Sequence, residues 1–183
     1  MRIHIGPIEI GSSSPSHFER RKVSRGNKDY HLNVFYAGRK FIKTSVNSIY
    51  LKMEKFIITP ENLSNNREAL YYLGLTLHSL QDFFSHSNFI DLKDDDKKKV
   101  IEALFNDIEA PDGLKIAYVG PLFFLDDFPH GAFGFGNNKD NPRWTREGID
   151  KFEDVKNVAI YWTRKLVEKL MKRELFKNSN HPK

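Results

Sequence analysis

The sequence predicts an all-α fold, a single-domain bundle of about four to six helices with a long ordered loop, residues 110–144, folded over a metal site. Three observations lead there. Apolar residues recur at three- and four-residue spacing in successive stretches from Gly38 onward. One long stretch, Ala110 to Asn141, breaks that spacing with three prolines and five of the eleven glycines, yet stays rich in aromatic and acidic residues. The length, 183 residues without an internal repeat, suits one domain with a substantial core.

Taken in order, the chain up to about Ala37 reads as irregular, with Gly11 to Ser16 a loop; residues 1–16 and 177–183 are expected to be loose within a single domain spanning 1–183. From Gly38, Phe41, Ile42, Val46, Ile49, Tyr50, Met53 and Phe56 share one broad helical face. Thr59, Pro60 and Glu61 form a helix start or sharp turn, with threonine as cap and proline in the first helical position. A second helix is expected from Leu70 through Ile90. A third runs from Asp91 to Ile108, with Asp94, Asp95 and Asp96 at its positive end and Val100, Leu104 and Ile108 as its stripe. The 110–141 stretch is too glycine-rich for a helix and too apolar for a disordered linker, so it reads as an ordered functional loop. Thr145 then caps a last helix whose apolar face carries Ile149, Phe152, Val155, Val158, Ala159, Trp162, Leu166 and Leu170.

Composition narrows the chemistry. The absence of cysteine removes disulfides, thiolate catalysis and every cysteine-ligated metal site, so a metal must rest on histidine nitrogen and carboxylate oxygen. Seven histidines are available. The net charge of +5 is spread among interleaved acids and bases and identifies no partner by itself. No apolar run has the length of a membrane span, and the first residues lack a signal-peptide core, so the chain is expected to be soluble, cytoplasmic or exported by another route.

The most informative run extends from Tyr71 to Asn88, where His78, Asp82 and His86 recur every fourth residue. On a helix each such step advances about 6 Å and turns about 40°, giving a slowly winding stripe. His78 and Asp82 can share an ion, whereas His78 and His86 lie about 12 Å apart and can hardly do so. Asp82 therefore bridges or neighbours two metals, as in paired sites about 3.5–4 Å apart. Gly74 leaves that stripe open to an approaching backbone or substrate. Leu73, Leu75, Leu77, Leu80, Phe83, Phe84 and Phe89 surround the three polar residues, so the helix is expected to be buried nearly all round. Buried histidines and a carboxylate need partners; a metal is the simplest, and a His–Asp hydrogen-bond pair is the alternative.

The pattern Leu73-Gly74, Leu77-His78, Asp82 and His86-Ser87-Asn88 resembles the central motif of the zinc-dependent phospholipase C superfamily, nearest its Het-C-like branch. That group includes alpha-toxin-like phospholipases and fungal single-strand nucleases, all-α bundles holding up to three zinc ions. The resemblance implies His78 and Asp82 as ligands of one zinc pair, with Asp82 also catalytic, and His86 as ligand of the remaining zinc. Ser16-His17-Phe18-Glu19 resembles the family's earlier His-Phe step and implies His17 as a ligand. Asp127-Phe128-Pro129-His130, followed by Asn138-Lys139-Asp140, resembles its later segment and implies His130 and then Asp140. The family's amino-terminal tryptophan has no counterpart, since His4 and Glu9 are the ligand-type residues before His17. The spacing from Asp82 to His86 is also shorter than in the alpha-toxin-like enzymes.

The resemblance implies a zinc-dependent phosphodiester hydrolase, phospholipase C-like, in which zinc-bound hydroxide attacks phosphate, with one to three zinc ions as cofactor. The implied substrate is a phospholipid or another phosphodiester, with peripheral membrane contact; a nucleic acid is the less favoured substrate. The aromatic residues Phe123, Phe124, Phe133 and Phe135 are candidates to receive an acyl or base group. A different class of reading is a non-catalytic, metal-stabilised interaction or toxin module. His31 reads as a surface histidine or substitute ligand, His4 and His181 as solvated, and Arg20, Arg21 and Lys22 as a solvated turn.

Overall fold

The computed structural model describes residues 13–53, 67–120, 122–130, 136–137, 139, 142–143 and 146–175. Its class is all-α, with four α-helices among the described residues: α1 (Lys28–Met53), α2 (Arg67–Ser85), α3 (Asp94–Phe105) and α4 (Arg146–Met171). A two-stranded ribbon, β1 (Ser13–Ser14) and β2 (Glu19–Arg20), precedes them around a 3-10 turn at Pro15–His17.

Helix α1 begins ten residues before the expected start at Gly38. Asn27 caps it, its side-chain oxygen accepting the Asp29 N–H at 2.9 Å. The early turns were hard to read because buried positions there include polar His31 beside Val34 and Phe35, so the apolar period is interrupted. Farther along, Ile42, Val46 and Ile49 continue the buried face. Gly38 is required by a close approach: a Cβ at this position would collide with the Phe18 ring.

Helix α2 contributes Leu80, Phe83 and Phe84 to the core and stops at Ser85, five residues before the expected Ile90. The chain leaves the helix because residues 86–88 pair with the extended segment 115–117. The Ala117 N–H donates to His86 O at 2.7 Å, and the Asn88 N–H to Lys115 O at 3.1 Å. The Asn88 side chain strengthens the pairing, accepting from the Lys115 N–H at 2.7 Å and donating to Gly113 O at 2.9 Å. A 3-10 turn, Phe89–Asp91, then leads into α3, which is shorter than the expected 91–108. The acidic first turn of α3 is solvated and pairs at i,i+3 with Lys97, Lys98 and Lys99.

Phe35, Phe83, Phe84 and Phe89 pack edge-on around the centre, with ring centroids 5.0–6.0 Å apart. Val100 and Leu104 of α3 and Val155, Leu166 and Leu170 of α4 close the core. Ile149, expected on the apolar face of α4, is instead 63% exposed. Trp162 packs against Phe105 at 6.0 Å. The residues around Pro60, Trp144 and Thr145, the Phe133–Phe135 pair, and both termini with His4 and His181 lie outside the described residues.

The described part of the 110–144 loop runs through the structure as an extended hub. Segment 115–119 bridges to Arg20, to Ser87 and to Pro129. Arg20, expected in a solvated turn, is 1% exposed and forms a bidentate ion pair with Asp126 at 2.6 and 3.1 Å. It also donates from Nε to Ile116 O at 2.6 Å and from a terminal nitrogen to Lys22 O at 2.9 Å. The Asp126 carboxylate accepts two further backbone N–H groups, from Ser24 at 2.6 Å and Phe128 at 2.8 Å. Arg21 and Lys22 remain exposed.

Removing one member of this buried, fully bonded pair leaves an uncompensated charge. Asp126→Ala is expected to cost about 3–5 kcal/mol in urea unfolding, whereas Lys43→Ala, which breaks a more exposed pair with Asp107, is expected to cost about 1 kcal/mol or less.

Candidate metal centre

Two groups of three ligand-type side chains converge above the end of α2. His17, His78 and Asp82 form the first; Glu19, His86 and His130 form the second. Within each group the candidate ligand atoms lie within 4.8 Å of one another.

The local cause is the backbone around Phe18. Its φ of +47° is a left-handed conformation that a bulky residue adopts only when its surroundings hold it there. Here the Phe18 side chain is fully buried, 5.1 Å from the Phe83 ring and 6.3 Å from Phe35. That anchor leaves the side chains of His17 and Glu19, on either side of it, at the two metal groups.

In the first group His17 Nδ1 lies 2.8 Å from Asp82 Oδ2, His78 Nε2 lies 3.2 Å from His17 Nδ1, and His78 Nε2 lies 3.4 Å from Asp82 Oδ2. Ligands at 2.0–2.1 Å from a tetrahedral zinc stand about 3.3–3.4 Å apart. Two of the three edges match that spacing, and the shortest has the length of a charge-assisted hydrogen bond. His17 and His78 are about half exposed and Asp82 is 14% exposed, so the open side of this triangle faces solvent.

The second group is more enclosed. His86 is 4% exposed, and its Nε2 faces His130 Nε2 at 3.2 Å. Its Nδ1 lies 3.7 Å from Glu19 Oε1 and 3.2 Å from His17 O. Because Glu19 approaches the opposite nitrogen from His130, the carboxylate is placed to orient the His86 ring, an arrangement that supports metal-ligating histidines in general. Glu19 was missed by sequence reasoning; the available signal was its position two residues after His17 in a turn-and-strand segment.

The structure therefore brings together His17, His78 and Asp82, and separately His86 and His130; Asp140 lies outside the described residues. One expectation about α2 needs correction. The stripe is not buried throughout: His78 is exposed and His86 buried, because the ribbon and the loop cover only the C-terminal end of the helix. Gly74 does leave open space on the stripe, since among the described residues nothing lies within 4 Å of a Cβ built there. Phe124, a candidate for substrate contact, is 69% exposed on a 3-10 turn at Phe123–Leu125.

His31 is not a surface histidine. The early start of α1 places it in the first turn, 2% exposed, with Nδ1 accepting the Ile116 N–H at 2.9 Å. Among the described residues Nε2 has no hydrogen-bond partner, and it lies 3.6 Å from Asp127 Oδ1. Burial, aided by the Arg20 charge, lowers its pKa to about 4. Burial opposes ionisation of Asp127, but hydrogen bonds from Ser24 and Lys115, with the charges of His31 and Lys115, hold its pKa down to about 2.

Comparison with known proteins identifies one family match, to the VWA7 N-terminal domain, over residues 11–110, more than half of the chain. The matched span contains His17, Glu19, His78, Asp82 and His86 and ends before His130. That family is not a zinc-dependent phospholipase C or Het-C-like family, so the resemblance read from the central motif is corrected. Polar residues at four-residue spacing are a product of helical geometry and are not confined to one family. No curated protein and no solved structure matches the chain.

His31 gives a pH-dependent contribution that can be isolated. Between pH 6.5 and about 4 the unfolded chain binds a proton that folded His31 resists, so stability is lost as pH falls through that window, by up to about 3 kcal/mol. Urea unfolding across this range should show a steeper pH dependence for the wild type than for His31→Gln.

Proposed function

The chain belongs to the VWA7 N-terminal domain family, and from that premise we propose that it is a zinc-binding domain whose exposed histidine–carboxylate group hydrolyses a phosphodiester. The observation that carries this reading is the convergence of His17 Nδ1, His78 Nε2 and Asp82 Oδ2 at 2.8–3.4 Å with their open side towards solvent. Three protein ligands with one free position is the arrangement of catalytic rather than structural zinc.

A zinc ion bound there supplies Lewis-acid polarisation of a phosphoryl oxygen and a water acidic enough to react near neutral pH. His17 and His78 would hold the ion through ring nitrogens, with Asp82 as the carboxylate ligand. His17 spans the two groups, since its ring belongs to the first and its carbonyl oxygen lies 3.2 Å from His86 Nδ1. The buried group suits a different role: His86 and His130 approach each other with little access to solvent, which favours a structural ion that ties residue 130 to the end of α2.

Metal analysis of the purified protein should find zinc, and His78→Ala should lower its affinity about 10- to 100-fold or more and abolish hydrolysis of bis(4-nitrophenyl) phosphate. His130→Ala should lower the melting temperature of the zinc-loaded protein while leaving zinc at the exposed group. Zinc taken up without any hydrolysis would identify a purely structural, interaction-type domain; no zinc uptake would overturn the metal reading itself.

A further inference from the structure

A cavity of about 350 Å3 opens beside Asp82 between α2 and α4. Asp82 and Ser85 line its α2 side, Phe152, Val155 and Ala159 its α4 side, and Lys139 adds a basic group. Asp82 thus belongs to both the cavity and the exposed metal group. Lys139 is 1% exposed and donates to Asn137 O at 3.2 Å, which holds its ammonium in place. A buried cation attracts an anion more strongly than a solvated one does, because the surrounding dielectric is lower. On the α4 side Lys156 adds a second basic group beside Phe152, Val155 and Ile160, and the short Ala159 side chain leaves space between them.

We propose that this cavity is a substrate pocket for one compact apolar ester group of a phosphodiester, an aryl ring or a short alkyl chain, with the phosphoryl group directed at Asp82. The proposal rests on the metal reading above and adds the substrate class to it. The volume lies near the lower end of small-ligand pockets, about 300–1,000 Å3, and leaves no room for a pair of long acyl chains. The apolar side chains Phe152, Val155 and Ile160 supply the driving force for the substituent, and the metal group with Lys139 and Lys156 supplies that for the anion. Ala159 acts here as a specificity residue, since its size sets the space available.

Calorimetric titration of phenyl phosphate and of inorganic phosphate into the full chain tests the proposal. Phenyl phosphate is expected to bind about tenfold or more tightly than inorganic phosphate. Ala159→Trp, which fills the cavity, should remove that preference while leaving zinc content, helical circular dichroism and inorganic phosphate affinity unchanged. Ala159→Leu should reduce it by a smaller factor, and this variant carries the test if the tryptophan variant fails to fold. Equal affinities in the wild type, or an aryl preference that survives in both variants, would overturn the pocket while leaving the metal reading intact. If metal analysis finds no zinc, the metal reading fails on that measurement alone; a retained aryl preference removed by Ala159→Trp would still support the pocket, and its absence would overturn it.

Discussion

One extended segment, residues 115–119, organises the parts of the molecule that carry chemistry. It bridges to Arg20, Ser87 and Pro129, each of them next in sequence to a member of the enclosed group: Glu19, His86 and His130. Backbone hydrogen bonds of 2.7–2.9 Å fix these neighbours, from Ala117 N–H to His86 O, from Arg20 N–H to Ala117 O and from His130 N–H to Tyr118 O. The Arg20–Asp126 pair clamps the same assembly by reaching both Ile116 O and the start of the 126–130 strap. Buried charges of this kind are tolerated only when every donor and acceptor finds a partner. Here the carboxylate collects two guanidinium N–H groups and two backbone N–H groups.

The second constraint is the inserted Phe18 ring. It lies against Gly38 of α1 and between Phe35 and Phe83, and a left-handed backbone is the cost of seating it. That seat brings His17 to the middle of α2 and Glu19 towards its end. A gradient of burial follows along α2, from half-exposed His78 through Asp82 to enclosed His86. The same four-residue spacing thus serves two environments, one open to solvent and one enclosed.

Legibility from sequence differed by the range of the interaction involved. Helices α2, α3 and α4 were visible through apolar spacing, with boundaries displaced where long-range pairing intervenes. His86 looked helical because four-residue spacing is all that sequence offers, yet its carbonyl accepts the Ala117 N–H of an extended segment about thirty positions later. His31 and Arg20 read as surface groups because polar side chains usually are, and their burial depends on partners at positions 116 and 126. The motif resemblance pointed to one family while residues 11–110 match another, since a short helical pattern carries less information than a hundred residues taken together.

The sequence by itself determined the all-α class, through the 3.6-residue period, and confined any metal to nitrogen and oxygen ligands, through the lack of cysteine. It also determined that His78 and Asp82 share one face, because a single turn of helix brings them together. Tertiary structure alone decided that His17 completes their group across 65 positions, that Glu19 and His130 flank His86, and which group faces solvent. These outcomes depend on where segment 115–119 docks and on the seating of Phe18, contacts between distant parts of the chain that no local period encodes.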